Sequence, residues 1–283
     1  MSPSPASPLP LTRPAVVALL RAAGCVFAED EAELIISTAA GPGEVAAMAG
    51  RRAAGLPLEH VLGWAEFCGL RISVGPGIFV PRRRTEFLVA QAAALARAAT
   101  TTATAAGGGG RAAVVLDVCC GSGAIGAALA AALGRAEVHA TDIDPGAAAC
   151  AARNLAAAGG RVYQGDLYEP LPGALRGRVD VLVACAPYVP TEAIGLLPSE
   201  ARVHEPLVAL DGGADGLDVV RRVIAGASRW LSPGGHVLVE TSDAQAPPAM
   251  RAAAACGLIP RLTVSEELNA TVVIGTRPPA GHG

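Results

Sequence analysis

The segment Val114-Val115-Leu116-Asp117-Val118-Cys119-Cys120-Gly121-Ser122-Gly123-Ala124-Ile125-Gly126 decides the fold. An apolar, β-branched run bounded by glycine reads as a strand buried on both faces. The alanine-rich residues from Ala124 to Leu133 have helical composition. Glycines at such a turn let backbone N–H groups face a ligand at the helix N-terminus. Gly121-Ser122-Gly123-Ala124-Ile125-Gly126 formally satisfies G-x-G-x-x-G, the dinucleotide fingerprint. S-adenosylmethionine is the other cofactor bound by this kind of turn, and the remaining chain has to choose between the two.

At 283 residues and 52% hydrophobic content the chain can build a sizeable core and about two domains. Aromatics are 3%, lysine is absent, and alanine and glycine abound, a pattern that coding bias explains. A net charge of −3 gives no overall field that would gather nucleic acid. The seven cysteines, Cys25, Cys68, Cys119, Cys120, Cys150, Cys185 and Cys256, are scattered without C-x-x-C spacing, which points to neither a zinc site nor a disulfide framework. Met1 to Pro10 lacks the basic start and apolar run of a signal peptide, and no stretch approaches a membrane span of roughly 20 apolar residues. A cytoplasmic protein with no membrane contact is the expectation.

Four regions follow from the punctuation of the chain: a Ser/Pro-rich disordered tail over 1–12, a helical domain over 13–63, a β-hairpin linker over 64–82 and an α/β domain over 83–283. In the helical region Arg13–Ala23 stops at Gly24, Asp30 is placed to cap Glu31–Ala40, and Pro42 opens a helix that runs to Gly55. Trp64–Phe67 and Leu70–Val74 alternate around Cys68-Gly69 as a hairpin. Thr85 is placed to cap Glu86–Ala98, with Ala99–Gly110 a flexible low-complexity loop. Beyond the opening segment, Asp144-Pro145 opens a second helix, and Asp215 is placed to cap a third with apolar residues Leu217, Val220, Ile224, Ala227 and Leu231. Seven strands alternating with helices imply a doubly wound sheet whose ligands bind beyond the strands' carboxyl ends. The link Ser265–Asn269 is too short for a parallel crossover, so the last strand is antiparallel to its neighbour. A nicotinamide fold more often repeats β-α-β to its end, and this finish favours the class I methyltransferase sheet.

Three carboxylates fall at successive strand ends. Asp117, just before the turn of Cys119, Gly121, Ser122 and Gly123, can reach a cofactor's ammonium group directly or through water. Asp142 can accept bonds from two ribose hydroxyls, a role common to both cofactor types. Asp166 can meet an adenine amino group while Leu167 packs on the ring.

The segment Ala184-Cys185-Ala186-Pro187-Tyr188-Val189-Pro190 makes the reading specific. With Val80-Pro81-Arg82-Arg83-Arg84-Thr85-Glu86, Asp142-Ile143-Asp144-Pro145, Gly165-Asp166-Leu167, His204-Glu205-Pro206 and Leu210-Asp211-Gly212-Gly213-Ala214-Asp215-Gly216-Leu217-Asp218, it resembles the protein-(glutamine-N5) methyltransferases of the HemK/PrmC type. The likeness covers nearly the whole chain from Arg13. It implies S-adenosyl-L-methionine as methyl donor, a helical substrate domain, a seven-stranded catalytic domain, and a peptide-chain release factor as the protein substrate, methylated on the glutamine of its Gly-Gly-Gln motif.

The family's signature is N-P-P-Y, with an N-A-P-Y variant, and this sequence has Cys185-Ala186-Pro187-Tyr188. In the family the Asn oxygen and the next backbone carbonyl accept the two N–H bonds of the substrate amide, and the Tyr ring packs nearby. By that resemblance Cys185, Ala186, Pro187 and Tyr188 form the catalytic set, with Cys185 also beside the cofactor. A thiol is a weak donor and acceptor compared with a carboxamide. Two other readings stay open at this point: a small-metabolite acceptor, and a homologue that binds the cofactor without turnover. Adenine methylation in nucleic acid is disfavoured, since the sequence has no lysine and few aromatics to hold a flipped base. Arg82-Arg83-Arg84 reads equally as a solvated linker or a contact for an acidic or phosphate-bearing partner, and His204-Glu205 as a general base pair or, better matched to the family pattern, as part of a loop capping the substrate site.

Overall fold

The computed structural model describes residues 11–105 and 111–279. The expected tail, apart from 11–12, and the end of the low-complexity loop at 106–110 lie outside the described residues. Four helices, α1 (Arg13–Ala22), α2 (Ala28–Thr38), α3 (Pro42–Ala53) and α4 (Leu58–Leu62), enclose a small core of Val16, Leu20, Ile35, Met48 and Val61. Helix α2 starts three residues ahead of the expected Glu31. Asp30 makes no cap bond and joins Glu29 and Glu31 in the first turn, where three acids complement the helix dipole.

The hairpin β1 (Trp64–Phe67) and β2 (Leu70–Ser73) turns at Cys68 and Gly69, both with positive φ, as a two-residue hairpin loop requires. It is more than a connector. Phe67 and Ile72 enter the core of the α/β unit, and Asn154 bonds both the amide and the carbonyl of Ser73 at 2.9 Å.

Seven further strands form one sheet: β3 (Ala113–Val118), β4 (Ala136–Asp142), β5 (Arg161–Gln164), β6 (Val179–Ala184), β7 (Leu231–Thr241), β8 (Ile259–Ser265) and β9 (Ala270–Thr276). Their spatial order is β5-β4-β3-β6-β7-β9-β8, with β9 antiparallel to both neighbours. The strand β3 is buried at every position, as its uninterrupted apolar run demands. On one face lie α5 (Glu86–Ala105), α6 (Ala124–Leu133) and α7 (Pro145–Leu155); on the other lie α9 (Asp218–Ala227) and α10 (Ala246–Ala255), with the short α8 (Ser199–His204) in the loop after β6. The chain winds outward from β3 to β5 and returns to β6, so the switch point of the sheet falls beside the glycine turn.

Helix α5 runs to Ala105, through residues expected to be loop. Thr85 does not cap it. A 3-10 turn, Arg83–Thr85, precedes the helix, and the Thr85 hydroxyl is buried with no hydrogen-bond partner. Asp144 does cap α7, accepting the Ala147 amide at 2.7 Å. Asp215 lies one turn ahead of α9, accepting the Leu217 amide at 3.1 Å and pairing with Arg221.

Candidate active site

Two clefts open at the carboxyl ends of the parallel strands. The first, about 540 Å³, is walled by Cys119 and Gly121 after β3, Asp142 ending β4, Asp166 and Leu167 after β5, and Cys185 after β6. The second, about 570 Å³, is walled by Arg82, Arg84, Ala186 and Tyr188, and by Pro57 and Glu59 of the helical domain. Phe79, Cys185, Pro187 and Ala209 line both, so the clefts meet at the signature segment.

In the first cleft the turn residues Cys119 and Gly121 have φ of 56° and 53°. Asp142 accepts the Gly121 amide at 2.8 Å on one oxygen and the Asp144 amide at 2.9 Å on the other, and each oxygen keeps an unused lone pair. Burial raises its pKa, and the backbone bonds from Asp144 and Gly121 oppose that rise. Asp166 pairs with Arg222 at 2.6 Å, and Arg222 lines the same cleft, a partner that nothing in the sequence spacing announces.

Three expected cofactor residues stand behind this wall. Asp117 is fully buried; one oxygen accepts the Gly126 amide at 2.9 Å and the other has no partner. Burial pushes its carboxyl up to about 7. Ser122 is buried, its carbonyl held by Asn154 at 2.8 Å. A Cβ on Gly123 would lie 2.9 Å from Ala151, so this glycine lets the turn close on α7.

At the junction, Cys185 is half-buried and its thiol is held far above the usual range by burial first and then by the charge of Glu240, against smaller opposing effects of Thr85 and Arg84. The thiol is neutral. Tyr188 donates to Glu240 Oε1 at 3.2 Å, Arg84 bonds the Tyr188 hydroxyl, and Arg84 Nε lies 3.2 Å from Glu240 Oε1. Glu240 ends the apolar run Val237-Leu238-Val239, and a lone acid closing a buried strand was the signal by which it could have been found. The glycine-rich loop after α8 braces this segment from behind. The Val189 amide and carbonyl bond Leu210 and Gly212, and a side chain at Gly216, where φ is 75°, would strike the Tyr188 carbonyl at 2.2 Å. Glu205 is no general base: it is buried, bonded by the Val80 amide at 3.1 Å and gripped by Arg82 at 2.6 Å. Arg82 and Arg84 are thereby internal partners, not a solvated linker.

A methyltransferase-domain family profile matches residues 115–206. A methyltransferase from Pyrococcus furiosus, 18% identical, shares the fold over 74% of this chain and 90% of that one with a TM-score of 0.52. A ribosomal protein L11 methylase from Lactobacillus delbrueckii subsp. bulgaricus, also 18% identical, gives 0.50 over 73% and 85%. The sheet order, the acidic cleft and these likenesses define an S-adenosylmethionine-dependent methyltransferase of the class I fold. The release factor glutamine methyltransferase of Geobacter sulfurreducens is 40% identical over 210 residues, 72% of this chain and 68% of that protein. That of Mycolicibacterium smegmatis is 35% identical over 246 residues, covering 81% and 83%. The chain belongs to the release factor glutamine methyltransferase family.

Proposed function

We propose that the protein methylates the side-chain amide nitrogen of a glutamine in a polypeptide, of the release-factor Gly-Gly-Gln type. The observation that carries the reading is the meeting of the two clefts at Cys185-Ala186-Pro187-Tyr188. The second cleft is walled by both the helical domain and the catalytic domain, which suits a polypeptide better than a small metabolite.

The first cleft fits the cofactor by its own chemistry. Asp142 offers a free lone pair on each oxygen to two ribose hydroxyls. Asp166 and Leu167 stand where an adenine edge and face would lie, and Cys119 and Gly121, backed by Ser122 and Gly123, form the turn that admits the ligand's backbone-facing side. The unpartnered oxygen of Asp117 attracts an ammonium group through the turn. When bound, S-adenosylmethionine supplies an electrophilic methyl group on a sulfonium.

An amide nitrogen is a poor nucleophile, so the protein's task is orientation, which in well-aligned reactions is worth up to roughly 7–11 kcal/mol. The Ala186 carbonyl can accept one amide N–H. Tyr188 is held by Glu240, Arg84 and Gln245, the last donating to its carbonyl at 2.7 Å, so its ring is a fixed wall for the substrate side chain. Cys185, neutral and half-buried, contributes shape and a weak hydrogen bond. Incubating the protein with labelled S-adenosylmethionine and a Gly-Gly-Gln peptide, followed by mass spectrometry, should place the label on the glutamine amide. Label appearing only on non-protein acceptors of a cell extract would overturn the assignment.

A further inference from the structure

A third recess, about 330 Å³, opens at the carboxyl end of β7 beside the start of β9. Arg84 and Tyr188 line both this recess and the acceptor cleft, so the two are neighbours across a single pair of side chains. Glu240 also lines it. That residue is 2% exposed, and while Oε1 is shared by Tyr188 and Arg84, Oε2 is buried with no partner. Thr241, the next residue of β7, also lines the recess, but its side chain leaves the opposite face of the strand. Among the described residues five buried side-chain oxygens lack a partner, and Glu240 Oε2 is the one among them that belongs to the Arg84–Tyr188 side of this recess. Native folds keep few such atoms, because each forfeits its hydrogen bond to water, and a carboxylate oxygen among them calls for an explanation.

The charges of the wall are uneven. Glu240 and Asp243 are formally anionic and Arg84 is the lining cation, which leaves one negative charge in excess. Arg84 is already engaged with Glu240 and Tyr188. Asp243 is exposed and spends one oxygen on the Thr271 hydroxyl. What the wall lacks is therefore a donor of hydrogen bonds carrying positive charge. An anionic side chain would meet two carboxylates and a spent guanidinium.

We propose that this recess is a second substrate subsite, which receives an arginine or lysine side chain from the polypeptide flanking the methylated residue. The proposal rests on the polypeptide acceptor argued above. With the acceptor side chain against Cys185 and Tyr188, a neighbouring residue has only the Arg84–Tyr188 ridge to cross. A guanidinium brings several donors in a fixed fork and an ammonium three, enough to serve Asp243 and, with a small shift of Tyr188, Glu240 Oε2.

The test uses the full-length protein loaded with S-adenosylhomocysteine and a peptide set built on Gly-Gly-Gln, with Arg, Ala or Glu at the positions on either side. Calorimetry should show an Arg peptide binding about tenfold more tightly than its Glu counterpart at one of these positions. The preference should shrink with added salt, as an exposed charge pair does. Asp243→Asn keeps an acceptor for Thr271 and should reduce the Arg-to-Glu ratio several-fold. Should that variant misfold, the salt dependence in the unaltered protein still decides. Equal affinities, or a ratio indifferent to both salt and Asp243→Asn, would overturn the subsite while equal methylation of all the peptides left the acceptor assignment standing. Asp243-dependent binding of Arg peptides with no methyl transfer would support the subsite and sink the glutamine assignment. Failure of every peptide to bind would overturn both.

Discussion

At the scale of single residues, position 185 separates what the sequence disclosed from what it hid. The replacement at the signature was legible at once, because it interrupts a motif. Its surroundings were not: Arg84-Thr85 and Glu240 come from two distant segments, and only folding brings them to the thiol. Cys185→Asn should speed single-turnover transfer to a Gly-Gly-Gln peptide. One well-placed acceptor is worth roughly 1–3 kcal/mol, or about five- to a hundred-and-fifty-fold if felt in the transition state. A slower Asn variant, with the fold intact, would mean that the acceptor is matched to the thiol. In the cofactor cleft, Asp142→Ala should weaken S-adenosylhomocysteine binding about ten- to a hundred-fold in calorimetry, the worth of charge-assisted bonds of roughly 1.5–3 kcal/mol. An unchanged Kd would place the ribose elsewhere. Part of any loss belongs to the turn, since the same carboxylate holds the Gly121 amide.

At the scale of elements, hydrophobic period and glycine punctuation found the seven strands and the principal helices, because these signals are local. Boundaries set by competition between neighbours were missed. Ala99 to Ala105, three alanines and four β-branched threonines, has neither an apolar stripe nor a high helix propensity and yet continues α5. Thr85 had the spacing of a cap, but the turn ahead of α5 aims it inward. The unit of β3, turn and α6 makes a prediction about pH. An unfolded aspartate ionises near 3.9, whereas burial holds Asp117 up to about 7. From about pH 4 to 7 the folded chain keeps a proton that the unfolded chain has released. The stability contributed by neutral Asp117 is therefore fully present below about pH 4 and is lost as pH rises through 7. Asp117→Asn retains an acceptor for Gly126 and should flatten the fall in Tm across this window for the ligand-free protein. An ammonium group near the free oxygen favours the ionised form, so S-adenosylhomocysteine should bind more tightly from pH 6 to 8 in the unaltered protein and with little pH dependence in the variant. Identical pH profiles for the two proteins would remove Asp117 from both accounts.

At the scale of the whole molecule, one arginine joins the helical domain to the lid of the acceptor cleft. Arg52 is buried, bonds Glu31 at 2.6 Å inside the helical core, and reaches Glu200 of α8 at 2.6 Å. Glu200, in turn, lines the acceptor cleft. No local pattern announces this link, since 21 residues separate Arg52 from Glu31 and 148 separate it from Glu200. The two contacts should respond differently to mutation. Arg52→Ala strands the carboxylate of Glu31 in an apolar core, and breaking a buried pair from one side costs about 3–5 kcal/mol, a large share of a typical stability. Glu200 is nearly half exposed, so Glu200→Ala should cost no more than about 1 kcal/mol. Its effect should appear in KM for a folded release-factor substrate, because α8 then loses its tie to the helical domain, while kcat stays near its original value. Denaturant unfolding separates the cases: Arg52→Ala lowers the midpoint strongly and Glu200→Ala hardly at all. The pair Arg52→Met with Glu31→Leu should recover much of the stability lost by Arg52→Ala, since an apolar pair replaces a buried charge without a partner. A double variant no more stable than Arg52→Ala would show that the arginine's bond to the Leu56 carbonyl, at 2.9 Å, and its packing dominate over the ion pair.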